Sequence, residues 1–339
     1  MEASVSSSSS VSFAEFRRDS NARGADEYQA CAIPVESRAV TAWLDKLRAG
    51  RVLVMDGATS TELRRRGAPW GDATWSALAG YARHDLLVGI HCDYIAAGAE
   101  VITTNTFGTT RFVLEAVGRG KDFAAINRAA IAAAKEARER SGADVAIAGS
   151  ISCLPPRFDP SAYPAAAKER AAYQELADLF AAEGVDLIAL EMLQDRTHAA
   201  MACEAARASG LPFWIGVSCR LAPDAKGLVA FDYPQMKLDA VLEALLPHEP
   251  DVLNVMHTPA TDVALALAEV RRRWNGFLGA YPEIDSAAEH GRGLTPQKLA
   301  AVAAGWIEQG ARVVGGCCGT TPEHVRALAA MVAKRRARR

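Results

Sequence analysis

From Arg51 onward, short apolar runs rich in β-branched residues alternate with longer Ala-rich stretches. The runs are Arg51–Met55, Glu100–Thr104, Val145–Ala148, Asp186–Leu190, Phe213–Val217, Val252–Met256, Phe277–Tyr281 and Arg312–Gly315. Their length and composition predict buried strands. Stretches between them, such as DFAAINRAAIAAAKEARERSG, repeat their apolar residues every three or four positions and predict helices. That one closes on Gly142, a helix-stop signal. Strands alternating with helices predict a parallel sheet, because parallel neighbours need crossovers. Eight such units predict a closed (β/α)8 TIM barrel, whose usual size is ~250 residues. An open doubly wound sheet would show a Gly-rich phosphate loop after its first strand. Here the first strand runs into MDGATSTEL instead.

The first 45 residues break the rhythm. They are Ser-rich, without helical or strand period, and lack the apolar stretch of a signal peptide. Glu2, Glu15, Asp19 and Asp26 argue against an organelle-targeting segment. The reading is a mobile tail over 1–45 and a single barrel domain over 46–339. A net charge of −2 gives no electrostatic case for nucleic acid or an anionic membrane. No apolar run approaches the ~20 residues needed to cross a bilayer. Seven cysteines, an odd number without framework spacing, predict reduced thiols in a cytoplasmic protein.

In such a barrel the chemistry sits where the strands end. The residues there are Asp56-Gly57 after the first strand, Asn105-Thr106-Phe107 after the second and Gly149-Ser150 after the third. Glu191 follows the fourth, Ser218-Cys219 the fifth, Met256-His257 the sixth, Tyr281-Pro282-Glu283 the seventh and Cys317-Cys318 the eighth. Nearly all of these strand ends carry a group able to bind a proton, a metal or a zwitterion. Free cysteines are commonly core fillers. Two adjacent ones between glycines, in VVGGCCGTTPEHV, point instead to a shared metal ion, and thiolates favour Zn²⁺.

The segments GGCCGTTPEHV, MDGATSTELRRRG and ITTNTF together resemble the homocysteine S-methyltransferase family, over about residues 50 to 332. That family includes betaine-dependent and S-methylmethionine-dependent enzymes and the homocysteine module of cobalamin-dependent methionine synthase. The segment LIALEMLQD resembles the family's fourth strand, which ends in a glutamate. The resemblance implies a zinc barrel that binds homocysteine as a thiolate, with Cys317 and Cys318 as metal ligands. It implies that Asp56, Gly57 and Glu191 lie near the amino-acid end of homocysteine, and that Asn105 and Thr106 line the pocket. The implied partners are two small molecules, homocysteine and a methyl donor. The donor expected is a sulfonium such as S-methylmethionine or S-adenosylmethionine, because the chain shows neither a cobalamin or folate module nor the long extension of the betaine branch. A free thiol of pKa ~8.5 is only a few per cent ionised at neutral pH, and zinc coordination removes that barrier.

Two segments depart from the family pattern. Its third zinc ligand is a cysteine in a context like Gly-x-Asn-Cys-x-x-Pro, whereas this chain reads DVLNVMHTPATDV. Aligned on Pro259, the cysteine position holds Met256, a poor zinc ligand, and His257 is next to it. His257 is therefore the expected third ligand, pointing inward, with Met256 turned away by strand alternation. Cys219 is the second choice. After the seventh strand, AYPEIDSAAEHG keeps the family's Tyr-Pro but departs from its pattern from Glu283 onward. The departures leave two alternatives open: a barrel that binds thiol or metal without turnover, and a zinc hydrolase with Glu191 or Glu283 as base.

Overall fold

The structure is a computed structural model that describes residues 43–69, 74–284 and 293–337. Eight parallel strands form the sheet: β1 (Leu53–Val54), β2 (Val101–Thr103), β3 (Ala146–Ser152), β4 (Leu187–Leu193), β5 (Phe213–Val217), β8 (Val252–Pro259), β9 (Phe277–Glu283) and β10 (Ala311–Val314). They follow one another around the sheet in chain order, with β1 beside β10. The remaining seam closes through a parallel bridge between Met55 and Val101 and through Asp56 N–H donating to Val101 O at 2.9 Å. The closed (β/α)8 barrel expected from the strand count is therefore what the chain forms.

The pleat sorts side chains into two cores. Leu53, Met55, Val101, Ala146, Ala148, Leu187, Ala189, Trp214, Val252, Tyr281 and Val313 fill the barrel. The small alanines on β3 and β4 leave room for the Trp214 and Tyr281 rings. A second, larger apolar core lies between the sheet and the surrounding helices. Helix Phe123–Ser141 turns Phe123, Ile126, Ile131, Ala133, Ala134 and Ala137 into it, and Gly142 ends the helix in the left-handed conformation. The last helix, Pro322–Arg336, starts with a capping box between Thr321 and His324.

Two features were not legible in the apolar pattern. Between β5 and β8 the chain makes an antiparallel hairpin of β6 (Cys219–Leu221) and β7 (Leu228–Ala230). Its strands are three residues each, too short to show a period. Also, β8 runs to Pro259, past the apolar run, with its register to β9 shifted between Met256 and Pro259.

The anticipated Ser-rich segment lies outside the described residues up to 42. Its last three residues open helix Trp43–Arg48, which turns Trp43 and Leu47 into the barrel-filling core. Trp43 meets Trp214 edge-on at 5.3 Å between ring centroids. Replacing a buried tryptophan by alanine typically costs about 3–5 kcal/mol. Trp43→Ala should lower unfolding free energy in a denaturant titration by about that much. A loss below ~1 kcal/mol would show that the helix is not part of the folding unit.

Candidate active site

The carboxyl ends of the strands surround one pocket. Its lining includes Asp56, Gly57, Trp75, Thr103, Asn105, Phe107, Ser150, Glu191, Met192, Met256, His257, Tyr281, Cys317 and Cys318.

The vicinal cysteines lie where the backbone has left β10. Gly316 N–H donates to Asp56 O at 3.0 Å, and Cys317 N–H to Pro282 O at 2.8 Å, so the segment stays tied to both neighbouring strands. Gly319, at φ +82°, then turns the chain toward the last helix. A Cβ on Gly316 would lie 2.4 Å from the Thr320 side chain, so only glycine lets Thr320 fold back there. Thr320 Oγ1 donates to Cys317 O at 2.6 Å and accepts from Ala58 N–H at 3.1 Å. One threonine thus joins the first and last loops of the barrel.

The two sulfurs lie 4.0 Å apart, and Cys317 Sγ is 3.5 Å from His257 Nδ1. The ligand atoms of His257, Cys317 and Cys318 all lie within 4.8 Å of one another, and all three residues are half-buried. Among the described residues this is the one group of three or more His, Cys, Asp or Glu side chains able to hold a metal. The neighbouring Cys318 sulfur, burial and the Glu191 charge push the Cys317 thiol well above its ordinary value. A bound cation would remove that opposition, because opposite charge favours the ionised form. Burial pulls the His257 imidazole down, but Cys318 and the Glu283 and Asp232 carboxylates leave it above its ordinary value.

Met256 does not turn away from the site. It is buried in the barrel-filling core and lines the pocket beside His257. Its Sδ accepts hydrogen bonds from Met192 N–H at 3.2 Å and Ser218 Oγ at 3.1 Å. The expectation assumed regular strand alternation, and the backbone breaks it: His257 sits at φ 45°, in the left-handed region, within the register shift of β8. Met192, next to Glu191, is left-handed too, at φ 54°. Such residues cost about 1–3 kcal/mol each and concentrate at functional sites.

Two buried carboxyls line the same pocket as the sulfurs. Asp56 accepts from Thr103 N–H at 2.7 Å and Thr103 Oγ1 at 2.9 Å. Glu191 accepts from Ser150 Oγ at 2.5 Å. Burial pushes Glu191 up to about 7, against the Ser150 and Tyr281 hydrogen bonds that lower it. Of the other expected residues, Gly57 and Asn105 line the pocket. Asn105 also accepts from Ser76 Oγ at 2.9 Å and donates to Ser76 O at 3.1 Å. Thr106 is not brought into the lining; its hydroxyl donates to Ser150 O at 2.7 Å inside the wall. Cys219 lies apart from the cysteine pair, against Thr258 Oγ1 at 3.6 Å, and burial pushes its thiol up to about 12. Glu283 is buried at the end of β9 but does not line the pocket, and the loop after Ile284 lies outside the described residues. Sequence reasoning missed Trp75, at φ 58° in an aperiodic segment, whose ring lies 5.4 Å from Phe107 and 5.5 Å from Phe158.

Comparison with known proteins agrees with this architecture. The family described as homocysteine S-methyltransferase matches residues 53–332. Homocysteine S-methyltransferase 1 of Zea mays is 26% identical over 313 residues, covering 83% of this chain and 94% of that protein. The selenocysteine methyltransferase of Astragalus bisulcatus is 25% identical over 318 residues, covering 83% and 92%. The metallated form of the homocysteine methyltransferase MmuM from Escherichia coli shares the fold, with TM-score 0.70 and 24% identity over 84% of this chain and 98% of that one.

Burial, aided by the Glu191 charge and opposed by the Thr103 bonds, pushes the Asp56 carboxyl from an ordinary 3.8 up to about 8. The folded chain then holds this proton more tightly than the unfolded one. Its stabilising contribution is complete below pH ~4 and is lost as pH rises through about 8. In substrate-free protein, wild-type Tm should fall relative to that of Asp56→Asn between pH 4 and 8. A Tm difference constant across that window would mean Asp56 is ionised throughout.

Proposed function

The chain belongs to the homocysteine S-methyltransferase family, and we propose that His257, Cys317 and Cys318 hold the zinc ion at which it methylates homocysteine. It is a thiol methyltransferase that converts homocysteine to methionine. What carries the assignment of the site is one juxtaposition: a Cys2His donor set and two buried carboxyls line a single pocket.

The donor set fits zinc. A tetrahedral centre with Zn–S of about 2.3 Å and Zn–N of about 2.0–2.1 Å separates its ligand atoms by roughly 3.5–3.8 Å. Two of the spacings, 3.5 Å and 4.0 Å, lie close to that, and all three lie within 4.8 Å. Zinc, when bound, supplies the positive charge that ionises the homocysteine thiol at neutral pH. The remaining work falls to the chain. Asp56 and Glu191 accept hydrogen bonds from the substrate ammonium group, whose charge favours their ionised forms. Anchored there, the homocysteine side chain reaches toward the cysteine pair.

The donor is a small sulfonium. Trp75 and Phe107 present aromatic rings to the pocket, backed by Phe158, and ring faces attract a cation within ~6 Å. In the transfer the homocysteine sulfur forms a bond to the methyl carbon as the donor's carbon–sulfur bond breaks. The donor leaves as a neutral sulfide and needs no proton. Positioning the two sulfurs in line is therefore the enzyme's main task. We assign the reaction to the cytoplasm, in keeping with six described cysteines of which none is joined in a disulfide. Among the described residues no helix is long and apolar enough to cross a membrane. Of the two bases the hydrolase alternative offered, Glu283 stands outside the pocket lining and Glu191 lies within it.

Elemental analysis of purified protein should find about one zinc per chain. Cys317→Ala and Cys318→Ala should each abolish it, and His257→Ala should weaken it. Full occupancy in the double cysteine variant would remove the metal assignment. Glu191→Gln should raise the KM for homocysteine roughly 10- to 100-fold with zinc content unchanged. An unaltered KM would take Glu191 out of the substrate site.

A further inference from the structure

The hairpin of β6 and β7 brings a cation to the rim that the mechanism above does not use. Arg220, on β6, is half-buried, and its buried Nε has no hydrogen-bond partner. Its guanidinium lies 5.7 Å from the centre of the Phe231 ring. Phe231 in turn meets His257 edge-on, at 4.8 Å between centroids. His257 Nδ1 is 3.5 Å from Cys317 Sγ. Arg220 therefore stands two rings away from the cysteine pair.

The hairpin is held firmly to the barrel. Cys219 N–H donates to Thr258 Oγ1 at 3.1 Å, and Leu221 N–H to Asp262 at 2.8 Å. Just past β7, Asp232 N–H donates to Gln194 Oε1 at 2.6 Å, and Gln194 Nε2 to Asp232 at 2.8 Å. These bonds fix the backbone on both sides of Arg220 and Phe231. An arginine held in place with a buried, unpaired N–H is prepared for an acceptor that arrives with a ligand.

The pocket requires such a group. Its described lining holds two carboxyls but neither lysine nor arginine. A donor that is itself an amino acid brings a carboxylate of its own. In-line transfer sets the donor sulfur about 5 Å from the attacking sulfur, and an extended amino-acid chain carries its carboxylate roughly 5 Å further. Arg220 itself lies outside the described lining, beyond His257 and Phe231, so the carboxylate end of the donor would extend past those two rings to meet it. We propose that Arg220 binds the carboxylate of the methyl donor and so selects an amino-acid sulfonium. Phe231 holds the guanidinium plane by stacking, and the free edge of the fork meets the two oxygens.

The proposal rests on the methyltransferase reading and is tested with the zinc-loaded full chain, homocysteine and two donors. One is S-methyl-L-methionine and the other its carboxamide, which lacks the negative charge. Wild type should prefer the carboxylate in kcat/KM by roughly 10- to 100-fold. Arg220→Gln should use both donors about equally, with the KM for homocysteine and the zinc content unchanged. Arg220→Lys, which keeps the charge without the fork, should fall between the two, and it carries the test should Arg220→Gln fail to fold. A wild type indifferent to the carboxylate, or variants that keep the full preference, would overturn the role of Arg220. Methionine formed by wild type from neither sulfonium would overturn the donor assignment itself, and this proposal with it.

Discussion

Adjacent residues on a β-strand point to opposite faces, and the rim of this barrel needs neighbours that point the same way. The conflict arises twice, and each time the backbone resolves it. After β10 the chain leaves the strand at Gly315-Gly316, so that Cys317 and Cys318 bring their sulfurs within 4.0 Å. On β8 the regular pleat continues to Met256, and a left-handed His257 swings the next side chain inward as well. Glycine makes the first departure cheap. The second is made by a histidine, at a cost that the surrounding strand must offset. Without both departures the three donor atoms would not converge.

This use of β8 bears on how the chain differs from its family. Met256 occupies the position where the family pattern has cysteine, and it remains inside the barrel, accepting hydrogen bonds from Met192 and Ser218. Its thioether fills space that a metal-binding thiolate would otherwise take. The imidazole reaches the cysteine pair from the next position along. In the proposed zinc site, a neutral imidazole in place of a thiolate would leave the donor set with one negative charge fewer.

Charge around the pocket suits the zwitterion and the cation proposed for it. Two carboxyls, Asp56 and Glu191, are buried where their ionised forms are costly, and each is supported by a hydroxyl. An incoming ammonium group repays that cost, since the pair is then neutralised in a dry site. In the same lining, aromatic rings at Trp75 and Phe107 offer faces rather than charges, and Arg220 stands beyond His257. The three regions are the ones to which we assign the ammonium, sulfonium and carboxylate groups of the two proposed substrates.

The sequence by itself determined the barrel, because eight apolar runs alternating with helical stretches leave little else for parallel strands to do. It also determined the vicinal cysteines and the acidic strand ends, since a strand's C-terminus fixes which loop a residue joins. Pattern alone could not decide direction. Whether Met256 and His257 could both face in depended on a single φ angle, that of His257, and strand periodicity carries no information about where a strand bends. Thr106 carried the right chemistry at the right strand end, yet its hydroxyl turned into the wall to satisfy Ser150 O. Trp75, Phe231 and Arg220 lie in segments without period, and only the folded chain sets them beside the strand ends. Local pattern determines which face an element buries; long-range packing decides which side chains meet there.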